Sequence, residues 1–147
     1  MIRLTAAYTA ILILLTGAAA WAGETGDAGA KSRAPGNAKV YFISPADGET
    51  VKSPVTVRFG LEGMGVAPAG VEKANTGHHH LIIDAPLPDF AYAVPADAQH
   101  RHFGGGQTEV SLELAPGTHR LQLLLGDHNH LPHAPPVASK VITITVE

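Results

Sequence analysis

Apolar and polar residues alternate with a period of two in several short stretches of the chain. The clearest stretch is residues 55–61, where Val, Val, Phe and Leu are separated by Thr, Arg and Gly. This pattern is typical of a β-strand with one buried and one exposed face. With the other alternating or β-branched runs, it predicts strands at 40–44, 55–61, 81–83, 110–114, 121–125 and 141–146. Residues 39–147 show no helical periodicity.

Short strands separated by Pro and Gly turns within little more than a hundred residues predict an all-β fold. We expect an immunoglobulin-like β-sandwich of about seven strands. The stretches "SPADGETVKSPVTVRFGLEG" and "LELAPGTHRLQLLLGD" resemble the first strands and the penultimate corner of immunoglobulin-like bacterial domains. In that corner His119 occupies a position where such domains keep an aromatic side chain that bonds back to the backbone, so His119 is predicted to be structural.

The first 22 residues have the pattern of a secretory signal peptide: an early cation, an apolar run and small residues ending in Ala-Trp-Ala. An uncleaved anchor is the alternative, but the run is shorter than the ~20 apolar residues a membrane span needs. Residues 23–38 are Gly-rich, Ala-rich and charged, which predicts a flexible leader. Residues 39–147 form a single predicted domain, periplasmic or secreted and free of the membrane after cleavage.

Composition excludes several classes of function. The chain has no cysteine, so disulfides, thiolate catalysis and thiolate metal sites are ruled out. Ten Lys and Arg minus Arg3 of the signal leave nine, against thirteen acidic residues. A mildly acidic product without a basic tract is not expected to bind nucleic acid.

The nine histidines are the most unusual feature of the sequence. Apart from His119 they fall into three groups, at 78–80, 100–102 and 128–133, and each group contains a His-x-His pair. Residues two apart on an extended chain point to the same side, about 6 to 7 Å apart. In an immunoglobulin-like order the three groups are expected to meet at one end of the sandwich. The predicted metal ligands are His78, His80, His100, His102, His128 and His130, with His79, His133, Met64 and Asp127 as weaker candidates.

Imidazole ligands suit zinc, copper, nickel and iron, and we favour copper or zinc. Met64 precedes the third predicted strand, and a thioether beside imidazoles would favour reduced copper. Core packing explains Met64 equally well. Asp84 and Asp127 are candidates to orient ligating rings, although Asp84 is also well placed to cap its strand.

Two functions remain open beside metal handling. Histidines at strand ends can be surface or capping groups, in which case the domain is an interaction module, with another exported protein as its partner and structural or pH-sensing histidines. A zinc hydrolase with three histidines and an open position is the third hypothesis. The sequence contains no recognisable nucleophile elbow or His-Glu-x-x-His helix, so a non-enzymatic role is preferred.

A long Pro-containing connection spans residues 85–99. Phe90 and Tyr92 are expected to attach it to the sandwich.

The stretches "GHHHLIID", "HFGGGQTEVSLELAPGTHRLQLLLGDHNHLPHAPPVASKVITITV" and "YFISPADGETVKSPVTVRFGLEGM" resemble a family of small exported bacterial domains, domain of unknown function 4399. The resemblance covers nearly all of residues 40–146. It implies export and a single domain, and it implies no mechanism.

Overall fold

The computed structural model describes residues 31–147. The predicted signal peptide, residues 1–22, and most of the predicted leader lie outside the described residues. Within the described range, no helix has the length and apolar character needed to cross a membrane.

The described residues fold into two β-sheets. The smaller sheet has the order β1-β3-β7, and the larger has the order β2-β9-β8-β5, with β4 and β6 both pairing with β5. The strands are β1 (Lys39–Ser44), β2 (Thr50–Val51), β3 (Val55–Glu62), β4 (Gly65–Val66), β5 (Thr76–Ile83), β6 (His100–His102), β7 (Glu109–Leu112), β8 (Gly117–Gly126) and β9 (Ile142–Val146).

The strand order confirms the predicted immunoglobulin-like sandwich. Strands β1, β3 and β7 correspond to the A-B-E sheet of such domains, and β9, β8 and β5 correspond to the G-F-C sheet. All six predicted strands are present. The three that the pattern did not predict, β2, β4 and β6, have only two or three residues each, too few to show an alternation.

The main core lies between the two sheets. Val57 of β3 and three leucines of β8, at 121, 123 and 125, are fully buried there. Leu124 points to the opposite, outer face of the larger sheet, where it joins Ile82 and Val94 in a second apolar cluster. The period-two pattern of β8 therefore separates an inner from an outer buried face.

The connection after β5 covers the outer face of the larger sheet. Phe90 packs against the second apolar cluster, as expected. Tyr92 is 70% exposed, so the prediction that it attaches the connection was wrong. The backbone instead provides the second attachment, because the N–H of Val94 donates to the carbonyl of His130 at 2.9 Å.

Residues 31–38 pack against the domain, although the sequence predicted that they belong to a flexible leader. Ala34 is buried, and its N–H donates to the carbonyl of Ala134. The Ser32 hydroxyl donates to Asp127 at 2.9 Å. Composition did not reveal these contacts because most of them are made by the backbone and a single hydroxyl.

The predicted structural role of His119 is confirmed. Its Nε2 lies 2.8 Å from the carbonyl of Ala115, four residues upstream, and its Nδ1 lies 2.7 Å from Asp84. Asp84 also accepts a hydrogen bond from the N–H of Arg120. Asp84 therefore caps the end of β5 and lies at a corner formed with β8.

Candidate metal centre

Strand β5 separates its three consecutive histidines between two faces. His79 faces the main core, where its ring centroid lies 5.2 Å from that of Phe59. His78 and His80 point to the outer face of the larger sheet, and both side chains are fully buried. The alternation of a regular strand therefore pairs the first and third histidines, as the sequence predicted.

Strand β6 adds a third imidazole beside this pair. His102 lies opposite His80 in the antiparallel register, and His100 lies opposite Ile82. Directly paired residues share a face of the sheet, so His102 joins the two histidines of β5. His100 lies farther along the same strand, and its Nδ1 is 3.0 Å from the Asp97 carboxylate.

His130 is brought to the group by a tight loop after β8. Asp127 organises the loop: one carboxylate oxygen accepts from the N–H groups of Asn129 and Leu131, and the other accepts from Ser32. His130 itself has a left-handed backbone with φ of 66°. Strand β8 ends at Gly126 and the loop turns at His130, so His128 and His130 do not continue the alternation of the strand.

A second loop, residues 67–70, ties the three histidine-bearing segments together. The N–H of Ala67 donates to Gly77 at the start of β5, and that of Ala69 donates to Gly104 just after β6. Gly70 donates to the carbonyl of His128 in the loop after β8. Three hydrogen bonds of 2.8 to 2.9 Å thus fix the relative positions of the segments that carry the imidazoles.

Two glycines leave the space that the rings occupy. A Cβ on Gly126 would lie 2.8 Å from Nε2 of His80, and a Cβ on Gly104 would lie 2.3 Å from Cε1 of His102. Any side chain at either position would displace the neighbouring imidazole. The backbone at these two points is therefore shaped around the histidines.

We call the four imidazoles of His78, His80, His102 and His130 the histidine cluster. Their ring centroids are separated by 4.7 to 6.2 Å. Nε2 of His78 lies 3.0 Å from Nε2 of His80. One ring nitrogen from each of His78, His80 and His102 lies within 4.8 Å of the others, a group that could hold a metal ion. His78 and His80 are buried, whereas His102 is exposed, so the cluster is open to solvent on one side.

Burial favours the neutral form of three rings of the cluster, those of His78, His80 and His102. It is the main cause that lowers the pKa of His78 from 6.5 to about 4, and the nearby rings of His102 and His130 lower it further. Burial, then the ring of His78 and the rings of His102 and His130, lower the pKa of His80 to about 3. The pKa of His102 is also lowered, by burial and by His130. Neutral imidazole is the form that binds a metal ion.

Asp127 supplies negative charge near the cluster. Burial alone would raise the pKa of this carboxyl group, but hydrogen bonds from Ser32, Asn129 and Leu131 outweigh burial and lower it. The side chain is 1% exposed. An ionised carboxylate is therefore held in the loop that carries His130, and its charge favours a cation beside His78.

The structure brings together four of the six principal candidates, from three separate segments. His100 and His128 lie outside the histidine cluster. His100 is held by Asp97, and the His128 ring contacts the side chain of Asn129. Both departures have a local cause: β6 places His100 beside Ile82, and the loop bends at 127–130.

The weaker candidates have other environments. His133 is buried, with its ring nitrogens 3.1 Å from the carbonyl of Thr76 and 3.4 Å from that of Leu125, so it links the last loop to the adjacent strands. Met64 packs against the main core, on the other side of β5 from the cluster. Burial lowers the pKa of His79 to about 4, and the nearby backbone of Gln107 opposes this shift. Within residues 31–147, neither ring nitrogen of His79 has a hydrogen-bond partner of good geometry.

The sequence did not predict the residues that position the imidazoles of the cluster. Gly104 and Gly126 each lie within a few residues of a histidine group in the sequence, and that adjacency was the available signal. The 67–70 loop acts through backbone N–H groups, which leave no signature in residue type.

Comparison with known proteins identifies a family for the chain. No curated protein and no solved structure matches the chain. The family model described as "Domain of unknown function (DUF4399)" matches residues 57–147, a range that contains the whole histidine cluster. Because this match covers more than half of the sequence, the chain belongs to the DUF4399 family.

Proposed function

We propose that this protein is an exported, periplasmic or secreted, transition-metal-binding protein that holds copper or zinc at the histidine cluster. His78, His80 and His102 are the principal ligands, and His130 is the fourth. The role is metal handling, meaning binding and release of the ion, and not catalytic turnover.

The observation that carries the proposal is the convergence of imidazoles from three segments on one face of the larger sheet. Two nitrogen ligands of one tetrahedral zinc, each about 2.0 to 2.1 Å from the ion, are about 3.3 Å apart. The 3.0 Å separation of the two Nε2 atoms of His78 and His80 is close to this value. Ligands of one ion cannot be more than about 4.2 Å apart. The ligand nitrogens of His78, His80 and His102 lie within 4.8 Å of one another. A small rotation of the His102 ring would therefore bring all three within the distance that one ion allows.

Unsatisfied nitrogens give a second argument. Nδ1 of His78 and Nδ1 of His80 are buried without a hydrogen-bond partner among the described residues. Leaving such groups unsatisfied costs about 1 to 3 kcal/mol each, and an arrangement that carries this cost calls for an explanation. An ion bound through the two Nε2 atoms would leave both Nδ1 atoms without a partner, but the free energy of binding would compensate for this cost.

Metal handling is favoured over hydrolysis by the hydrogen bonding of Asp127, the acid whose charge acts on His78. A catalytic zinc needs a base that can reach its water. Both carboxylate oxygens of Asp127 already accept hydrogen bonds from Ser32, Asn129 and Leu131. The exposure of His102 instead gives an ion a route by which it can be taken up and released.

The competing function is an interaction module whose histidines are structural. His119 and His133 support it, because both bond to backbone carbonyls. The two functions differ in whether the histidine cluster binds an ion.

The deciding experiment is metal titration of purified protein without a polyhistidine tag, by calorimetry and by metal analysis after desalting. We expect one copper or zinc ion per chain, and loss of that ion in the variant His102→Ala. His102 is exposed, so its removal should leave the fold intact, which circular dichroism will verify. His100→Ala, on the same strand and outside the cluster, is the matched control and should bind normally. If the wild-type protein retains no ion, or if both variants bind equally, the proposal is wrong.

A further inference from the structure

The ligand chemistry of the histidine cluster also bears on the oxidation state of the ion. We propose that the site selects a divalent ion, with Cu(II) preferred to Zn(II), and that it binds Cu(I) poorly. This inference rests on the proposed function and specifies which form of the ion the protein handles.

The first argument is that the ligand atoms of the cluster are all imidazole nitrogens. Soft sulfur ligands select Cu(I), whereas imidazole suits copper, zinc, nickel and iron. The chain contains no cysteine, and its two methionines are Met1 and Met64. Among the described residues, Met64 is therefore the sole candidate for a sulfur ligand.

The position of Met64 excludes its sulfur from the cluster. Met64 packs against the core between the two sheets, with Phe59 and Leu61 among the residues there. His79 points into that core and contacts Phe59, whereas its neighbours His78 and His80 point to the outer face. Strand β5 thus separates the core against which Met64 packs from the face that carries His78 and His80.

The second argument is the number and charge of the groups around the ion. Four imidazoles with centroids no more than 6.2 Å apart can supply three or four nitrogen ligands, the donor set of tetragonal Cu(II). The ionised Asp127 adds a negative field, which stabilises a divalent ion more than a monovalent one. Exposed His102 leaves room for a water ligand. Among divalent ions, nitrogen sites bind copper more tightly than zinc.

The test compares three ions on the same protein. Protein loaded with Zn(II) is titrated with Cu(II), and released zinc is read with an indicator dye. Protein loaded with Cu(II) is then reduced with ascorbate without oxygen in the presence of bicinchoninate, a Cu(I) chelator. We expect an equimolar amount of Cu(II) to displace zinc, and bicinchoninate to remove the copper once it is reduced. The electron paramagnetic resonance spectrum of the Cu(II) form should show hyperfine coupling to several nitrogens.

Met64→Leu is the matched variant, because leucine keeps the apolar volume and removes the sulfur. It should change neither zinc displacement nor the loss of reduced copper. Cu(I) that stays bound to the wild-type protein in the presence of the chelator but is lost from Met64→Leu would show that the sulfur is a ligand. The inference would then be wrong, while the proposed metal-handling function would be unaffected. Failure of Cu(II) to displace zinc would also overturn the inference alone. If none of the three ions binds, the proposed function fails and the inference fails with it.

Discussion

Nε2 of His78 and Nε2 of His80 lie 3.0 Å apart in a fully buried position on the outer face of β5. Since two neutral imidazoles share one proton in such a contact, one ring donates and the other accepts. The remaining ring nitrogens, both Nδ1, have no partner among residues 31–147. This pair is held in place by β5 itself, by Gly126 under the His80 ring and by the 67–70 loop.

The loop after β8 allows a matched test of the fourth ligand. His130→Ala should weaken copper or zinc binding by at least about tenfold, since loss of an outer hydrogen-bond partner alone typically has this effect. His128→Ala removes a ring that is two residues away and outside the cluster, so it should bind like the wild-type protein. Calorimetric affinities of the two variants decide the matter. Equal weakening by both would mean that the loop, and not the His130 ring, is what the ion requires.

Gly126→Ala should damage the site without removing a ligand. The new methyl group would lie 2.8 Å from Nε2 of His80, and relieving that overlap should cost about 1 to 3 kcal/mol of stability. The displaced ring should also bind metal less tightly. Gly36→Ala, where the methyl group meets open space, is the control and should change neither property. Urea unfolding and metal titration measure both effects, and normal metal affinity in Gly126→Ala would show that His80 is not a ligand.

Asp127→Asn should loosen the loop that carries His130. The amide group accepts hydrogen bonds at only one of its two terminal atoms. Either the backbone N–H of Ser32 or those of Asn129 and Leu131 therefore lose their acceptor. We expect a loss of about 1 to 3 kcal/mol in the free energy of unfolding and about 10- to 100-fold weaker metal binding. Asp89→Asn, an exposed turn carboxylate, serves as the control. Unchanged metal binding in Asp127→Asn would remove Asp127 from the site.

The fold was largely predictable from sequence because its strands alternate cleanly. Residues 55–61 carry a period of two that is typical of a half-buried strand, and residues 121–125 have leucine at every second position. Both segments lie in long strands. The convergence of His78, His80, His102 and His130 followed from strand order, since three loops at one end of a sandwich must meet. Strand β6 could not be predicted, as three residues are too few to define a period.

The errors within the site arise where the backbone departs from a regular strand. His128 and His130 would share a face on an extended chain, but His130 has a positive φ and Asp127 folds the loop back. His100 and His102 do lie on one strand, yet only a known register shows which of them faces His80. Register and loop bends depend on long-range backbone hydrogen bonds, which sequence alone does not reveal.

His79→Leu should stabilise the metal-free protein. The imidazole is fully buried against Phe59, and in the described part of the chain neither of its nitrogens has a hydrogen-bond partner of good geometry. Replacing an unsatisfied polar group by an apolar one of similar shape removes the cost of its desolvation. We therefore expect the free energy of unfolding to rise by about 1 kcal/mol. Urea unfolding with a chelator present measures this gain. A loss of stability in His79→Leu would reveal a hydrogen-bond partner of His79, and metal affinity should be unchanged because the ring faces away from the cluster.

Acidification should destabilise the metal-free protein between about pH 6.5 and pH 4. The folded pKa of His78 is about 4 and that of His80 about 3, against 6.5 for the ordinary group. In this range the unfolded chain binds protons that the folded chain does not, so the free energy of unfolding falls as the pH falls. His119 acts in the opposite sense, because the Ala115 carbonyl and Asp84 raise its pKa, and its contribution is lost as the pH rises above 6.5.

More histidines have a lowered pKa than a raised one, so the net effect of acid should be a loss of stability. Urea midpoints at pH 7.5 and pH 5, measured with a chelator present, test the expectation. Replacing His78 and His80 together by glutamine removes two of the responsible groups and should reduce the difference between the midpoints. A midpoint that is independent of pH in the wild-type protein would mean that these rings do not stay neutral in the folded state.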